Sequence, residues 1–145
     1  MNGNHPILIP LLALVAWTMI VWTWMVSARW SAFKKAGIGL DDLSPGTRGP
    51  DLENRLDPRA QWKAHNYNHL FEQPTAFYAL CISLALLGLE GRIFCLLAWA
   101  YVALRIGHSL VQATVNIVLY RALLFAISSL CLVALTGLAL SRIIA

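Results

Sequence analysis

The sequence predicts an all-α integral membrane protein whose protomer is a bundle of four transmembrane helices. Composition and one pattern lead there. Of 145 residues, 59% are hydrophobic and only 12% are charged, against roughly 45–50% and about 25% in soluble domains. The apolar residues are gathered into four long runs that are nearly free of charge, and a spanning helix needs about 20 such residues. That hydropathy excludes intrinsic disorder. Cys81, Cys95 and Cys131 are odd in number and each lies in an apolar run, so they read as buried free thiols rather than a disulfide framework. The net charge of +4 does not point to nucleic acid, because no basic surface interleaved with stacking aromatics accompanies it. The length fits one domain, residues 1–145, and four spans leave no room for a separate soluble catalytic unit.

Each span has its own justification. The first, about 6–28, is uncharged. It has no basic segment before it and no small-residue cleavage site behind it, and it is too long for a signal-peptide core, so it is expected to be retained. The second, about 61–89, is apolar from Gln73 onward and is extended N-terminally by a polar helical segment. Asp57-Pro58 reads as the N-cap and first residue of that helix. Pro74 is expected to bend it beside Glu72 and free a backbone carbonyl. The third span, about 92–116, carries Arg105 and His108 within it, and the fourth, about 119–142, is uncharged from Ala122 to Ser141. Between the first two spans, residues 29–57 hold Pro45, Gly46, Gly49 and Pro50 among charges, which is loop chemistry. Seven Lys/Arg fall between Arg29 and Lys63 and none precedes Pro6. The positive-inside rule therefore puts this loop in the cytoplasm and both termini outside.

Helical rise then gives depths. Measured from the outer ends of their spans, Glu72 lies about 25 Å up, Arg105 and His108 roughly 20 and 24 Å, and Arg121 about 31 Å. Arg29 ends the first span at a similar level. With a hydrocarbon core about 30 Å thick, four segments send polar groups to one layer at its cytoplasmic edge. His65, His69 and Glu72 share a stripe, with Asn68 bordering it, and Arg105, His108 and Gln112 share another. Ionisable groups at this depth turn inward and pair, and Glu72 with Arg105 is the pair the spacing predicts.

These groups have structural readings as well. The Glu72–Arg105 pair would fix helix register, His108 would bond a neighbouring helix, and Arg29 and Arg121 would be snorkelling anchors. The tryptophans and tyrosines read mainly as interface and packing residues. His65-x-x-x-His69-x-x-Glu72 has a spacing that metals use. No HExxH or set of histidine boxes accompanies it, so no metal is assigned, and nothing further supports a haem between His69 and His108. Cys81 and Cys131 lie deep in apolar helix, where a thiolate nucleophile is disfavoured.

The segments Arg55-Leu-Asp-Pro-Arg59, Asn68-His-Leu-Phe-Glu72-Gln-Pro-Thr-Ala-Phe77, Arg105-Ile-Gly-His108 and Tyr120-Arg121-Ala-Leu-Leu-Phe125, with the span count and basic first loop, resemble the MAPEG superfamily. These are the membrane-associated proteins of eicosanoid and glutathione metabolism, and the likeness is to a bacterial-type microsomal glutathione transferase. It covers the chain from the first span to about Arg142. It implies a homotrimer with glutathione, as co-substrate, between protomers near the cytosolic edge. Glu72 matches the family's second-helix glutamate. The asparagine three residues before it falls on His69, with Asn68 one step earlier, so either fills that role. Arg105 and His108 match an Arg-x-x-His pair, and Arg29 is a counterpart of a glutathione-contacting arginine. Arg121 matches the arginine that stabilises the glutathione thiolate.

The implied activity is that of a membrane-bound, glutathione-dependent transferase or peroxidase. It would act on lipophilic electrophiles or lipid hydroperoxides arriving from the membrane lipids. A thiol with a pKa near 8.5 is mostly protonated at cytosolic pH, and a guanidinium at the sulfur favours the thiolate. Glu72, with Asn68 or His69, would hold the amino end of glutathione. Arg29, Arg105 and His108 would hold its carboxylates or the local network. Two positions depart from the family: Gln112 stands where many relatives have tyrosine, and Ala122 where eicosanoid-type members often have serine. They favour the alternative, a non-catalytic subunit of the same fold packed against a larger membrane complex, because function belongs to the site and not the scaffold.

Overall fold

A computed structural model describes residues 5–144; residues 1–4 and 145 of the expected domain lie outside the described residues. The described chain is helical, with no strand among the described residues. Five helices follow in order: α1 Leu8–Ala36, α2 Pro58–His69, α3 Gln73–Leu86, α4 Arg92–Thr114 and α5 Val118–Ile144. Two short 3-10 turns, Leu40–Asp42 and Pro50–Leu52, lie between α1 and α2. Helices α1, α4 and α5 are long and apolar enough to cross a membrane. Helix α3 has 14 residues, about 21 Å of rise.

Two boundaries differ from expectation. The first helix does not stop at Ala28. It continues through Arg29 to Ala36, so the irregular connection is 37–57. Arginine is a good helix former and gives no reason to stop. The stop comes at Gly37, in the left-handed region at φ 64. There the Gly37 N–H donates to the Lys34 carbonyl and the Ile38 N–H to the Phe33 carbonyl, closing the last turn as a glycine C-cap does. Lys34 and Lys35 occupy that turn, where the helix dipole favours cations.

The second difference is larger: the expected span 61–89 is two helices, broken at Leu70–Glu72. Helix α2 begins as its sequence predicts, with the Asp57 carboxylate accepting from the Arg59 N–H at 2.8 Å and Pro58 at the first helical position. It ends at His69 because Pro74 has no N–H to give the Leu70 carbonyl and its ring crowds that carbonyl. Pro74 then sits in the first turn of α3, where a missing N–H costs nothing.

The apolar core runs along the inside of the bundle. Ile7, Leu14 and Val21 of the α1 segment meet Phe77, Cys81 and Leu84 of α3, Ala98, Tyr101 and Val102 of α4, and Leu135 of α5. Phe77 and Tyr101 stack with ring centroids 4.4 Å apart. Helices α4 and α5 pair over much of their length, and α1 packs on α2, α3 and α4. Several polar groups inside this bundle are joined across helices. Ser109 Oγ accepts from Trp17 Nε1 at 3.0 Å and from Asn66 Nδ2 at 2.7 Å, which ties α1 and α2 to α4. At the end remote from the 37–57 connection, Glu90 takes the His5 imidazole and the Ile7 N–H, fastening the start of α1 to the α3–α4 turn. All three cysteines are free thiols; Cys81 is buried and the other two half-buried.

Candidate functional site

The break between α2 and α3 builds the centre of the site. In an unbroken helix the His69 carbonyl would accept the N–H of the residue four positions on. Here it accepts from Arg105 Nη2 at 3.1 Å, and the same nitrogen lies 2.9 Å from His69 Nδ1. Arg105 is fully enclosed, and a buried cation needs partners of this kind. The predicted Glu72–Arg105 ion pair does not form. Once α2 ends at His69, the seven-residue spacing that put Glu72 on the inner stripe no longer applies. Glu72 becomes the residue before α3, its side chain 66% exposed, with Oε2 3.5 Å from His69 Nε2. His69 thus stands between the two groups expected to meet. Because its Nδ1 accepts from Arg105, the neutral ring carries its proton on Nε2, the nitrogen on the Glu72 side.

Around His69 a cleft forms from the ends of three helices. It is lined by His69 of α2, His108 and Gln112 of α4, and Val118, Arg121, Ala122 and Phe125 of α5. The spacing on α5 is helical, with Val118, Ala122 and Phe125 on one face and Arg121 one turn from Phe125. The His69 and His108 rings stack at 4.9 Å. Phe125 meets His69 edge-on at 5.4 Å, and the Arg105 guanidinium lies 5.6 Å from the Phe125 ring. His108 Nδ1 donates to the Arg121 carbonyl at 2.9 Å, and its Nε2 is 3.1 Å from the Gln112 amide. Arg121 is held at its far end too, donating from Nη1 to Asn116 Oδ1 at 2.6 Å. A half-buried guanidinium with most of its five donors still available can take a carboxylate or a thiolate.

A second cleft lies between α1, the 37–57 connection and α2. Its walls include Arg29, Gly49, Glu53, Gln61, His65 and Asn68. Arg29 comes so close to Gly49 that a Cβ there would meet its Nη2 at 2.8 Å, so a side chain at that position would push the end of the guanidinium aside. The Gln61 amide is buried with neither its oxygen nor its nitrogen partnered, and Arg29 Nε is buried and unpartnered. His65 Nε2 lies 2.8 Å from Glu53 Oε1, tying the connection to α2. His65 and His69, one turn apart on α2, therefore serve different clefts.

The expected residues fall into four places. His69, His108 and Arg121 share the first cleft, whereas Arg29 and Asn68 share the second. Arg105 opens into neither cleft and reaches the first through His69. Glu72 lies outside both. Sequence reasoning missed Asn116, Phe125 and Gln61. Helix-capping logic could have found Asn116, since it stands between two apolar helices and asparagine tolerates left-handed backbone. Phe125 was findable by its one-turn spacing from Arg121, whereas nothing in the sequence distinguishes Gln61.

Comparison with known proteins bears on this geometry. A family model described as the MAPEG family matches residues 7–141. No curated protein and no solved structure matches the chain.

Proposed function

From the premise that this chain belongs to the MAPEG family, an integral membrane family tied to glutathione chemistry, we propose that it is a glutathione-dependent transferase or peroxidase. Its substrates are lipophilic electrophiles or lipid hydroperoxides. One observation carries the reading: the Arg121 guanidinium lines an aromatic and imidazole-walled cleft, anchored at one edge by Asn116 and with no other side-chain hydrogen bond among the described residues. A cation so held lowers the free energy of a thiolate relative to the thiol, each tenfold gain in thiolate corresponding to about 1.4 kcal/mol. The thiolate then attacks the electrophile, or takes the terminal oxygen of a hydroperoxide to become a sulfenic acid while the alkoxide leaves as alcohol. A second glutathione thiol turns the sulfenic acid into disulfide and water. Val118 and Ala122 on the exposed face of α5 leave the cleft's mouth apolar, which suits an acceptor arriving from lipid.

The second cleft suits the rest of glutathione. Arg29 and the unpartnered Gln61 amide match a carboxylate, and Glu53 an ammonium group. The two clefts share no lining residue in the protomer, which suits an assembly in which one protomer's first cleft faces its neighbour's second; the homotrimer that the family resemblance implies is such an assembly. We read α2–α3 as the fourth membrane crossing, with both termini outside and the 37–57 connection in the cytoplasm. Ala122 and the outlying Glu72 favour a second reading, a non-catalytic subunit in a larger membrane complex. Equilibrium glutathione binding to the purified protein, with ultraviolet thiolate absorbance recorded on mixing, separates the two. Binding with thiolate formation supports the enzyme; no binding supports the subunit.

A further inference from the structure

Asn116 is the only non-glycine residue with positive φ among the described residues, at φ 52. It forms the turn between α4 and α5, its N–H donating to the Val111 carbonyl at 2.7 Å. Left-handed backbone favours glycine, asparagine or aspartate at such a position. Glycine is the usual choice and would give the turn everything it needs. The side chain that is present instead places Oδ1 2.6 Å from Arg121 Nη1. Arg121 is also gripped through its carbonyl by His108, so both ends of the residue are tied to the α4 side of the cleft.

We propose that Asn116 is a positioning residue for Arg121: it aims the guanidinium into the cleft while leaving its charge whole. The proposal rests on the reading of Arg121 as the thiolate's partner. The chemistry of these three residues makes the choice meaningful. Glycine offers no acceptor and leaves the guanidinium to wander. Aspartate offers an acceptor that is itself an anion, so it would neutralise the cation meant for the sulfur. Of the three, asparagine combines tolerance of the turn, an acceptor and neutrality.

The test uses the full-length protein carrying Asn116→Gly or Asn116→Asp, both compatible with the turn. Thiolate absorbance of bound glutathione is recorded against pH, beside the rate at which phenylglyoxal modifies Arg121, read by peptide mass spectrometry with Arg29 as internal control. Both variants should fold like the parent and shift the thiol titration upward, by about one pH unit or more, a tenfold loss of thiolate below the pKa. Asn116→Gly should speed modification of Arg121 several-fold and leave Arg29 unchanged. A purely structural Asn116 would leave both readouts at parent values in both variants, which overturns the proposal. If the parent binds no glutathione, the function reading fails, but the modification rates still decide whether Asn116 holds Arg121: faster modification in Asn116→Gly supports it and an unchanged rate overturns it.

Discussion

Arg105 and His69 meet through both the imidazole and the backbone of the histidine, at 2.9 and 3.1 Å from a single guanidinium nitrogen. The contact follows from the α2–α3 break. A carbonyl released from helical bonding needs a donor in a low-dielectric interior, and a charged donor on α4 supplies it. The arginine therefore closes the gap in the backbone that a glutamate partner would have left open.

That arrangement gives the two residues unequal weight. Arg105→Ala should destabilise the protein by about 1.5–3 kcal/mol, the usual range for loss of a charge-assisted hydrogen bond. Glu72→Gln, at an exposed position, should stay within about 0.5 kcal/mol of the parent. Unfolding titrations in mixed micelles would measure both. Equal losses in the two variants would mean that Glu72, and not His69, is the partner that matters.

Arg121 should not tolerate lysine functionally. Both side chains can carry a positive charge at a membrane edge, so Arg121→Lys should preserve folding and assembly. Ammonium is a smaller point charge without the planar fork that meets Asn116 and a ligand together, so thiolate formation from bound glutathione should fall markedly. Arg121→Ala should nearly abolish it while glutathione still binds. Undiminished thiolate absorbance in both variants would assign Arg121 to anchoring alone.

At Gly37 the cost of a side chain should be conformational only. A Cβ there meets nothing within 4 Å, yet the backbone is left-handed at φ 64. Gly37→Ala should therefore cost about 1–2 kcal/mol, and Gly37→Asn less, since asparagine tolerates that region. The same micelle titrations apply, and an alanine variant as stable as the parent would show that α1 does not depend on this cap.

Assembly as a homotrimer predicts a specific crosslinking pattern. Amine- or carboxylate-directed crosslinking in mild detergent should give monomer, dimer and trimer bands with nothing larger, and dilution should not shift the pattern. Bands that stop at dimer would remove the homotrimer.

How much of this was legible beforehand depends on what kind of information each residue carries. Composition and run length sufficed for the membrane class, since burial in lipid demands apolar residues whatever the partner. Helical rise led to the expectation that Arg29, Glu72, Arg105, His108 and Arg121 share one level, because depth along a helix depends only on residue count. The Asp57-Pro58 start and the disruption at Pro74 were also local chemistry, open to inspection in one dimension. The tertiary structure decided who meets whom. A seven-residue stripe predicts a shared face only while the hydrogen-bond ladder is unbroken, and the break after His69 turned Glu72 outward and left His69 to receive Arg105. It also parted Arg29 from Arg121, because depth says nothing about rotation around the bundle. The fit of Asn116 to Arg121 depends on one left-handed residue and the packing of α4 against α5, so it arises only when both helices are in place.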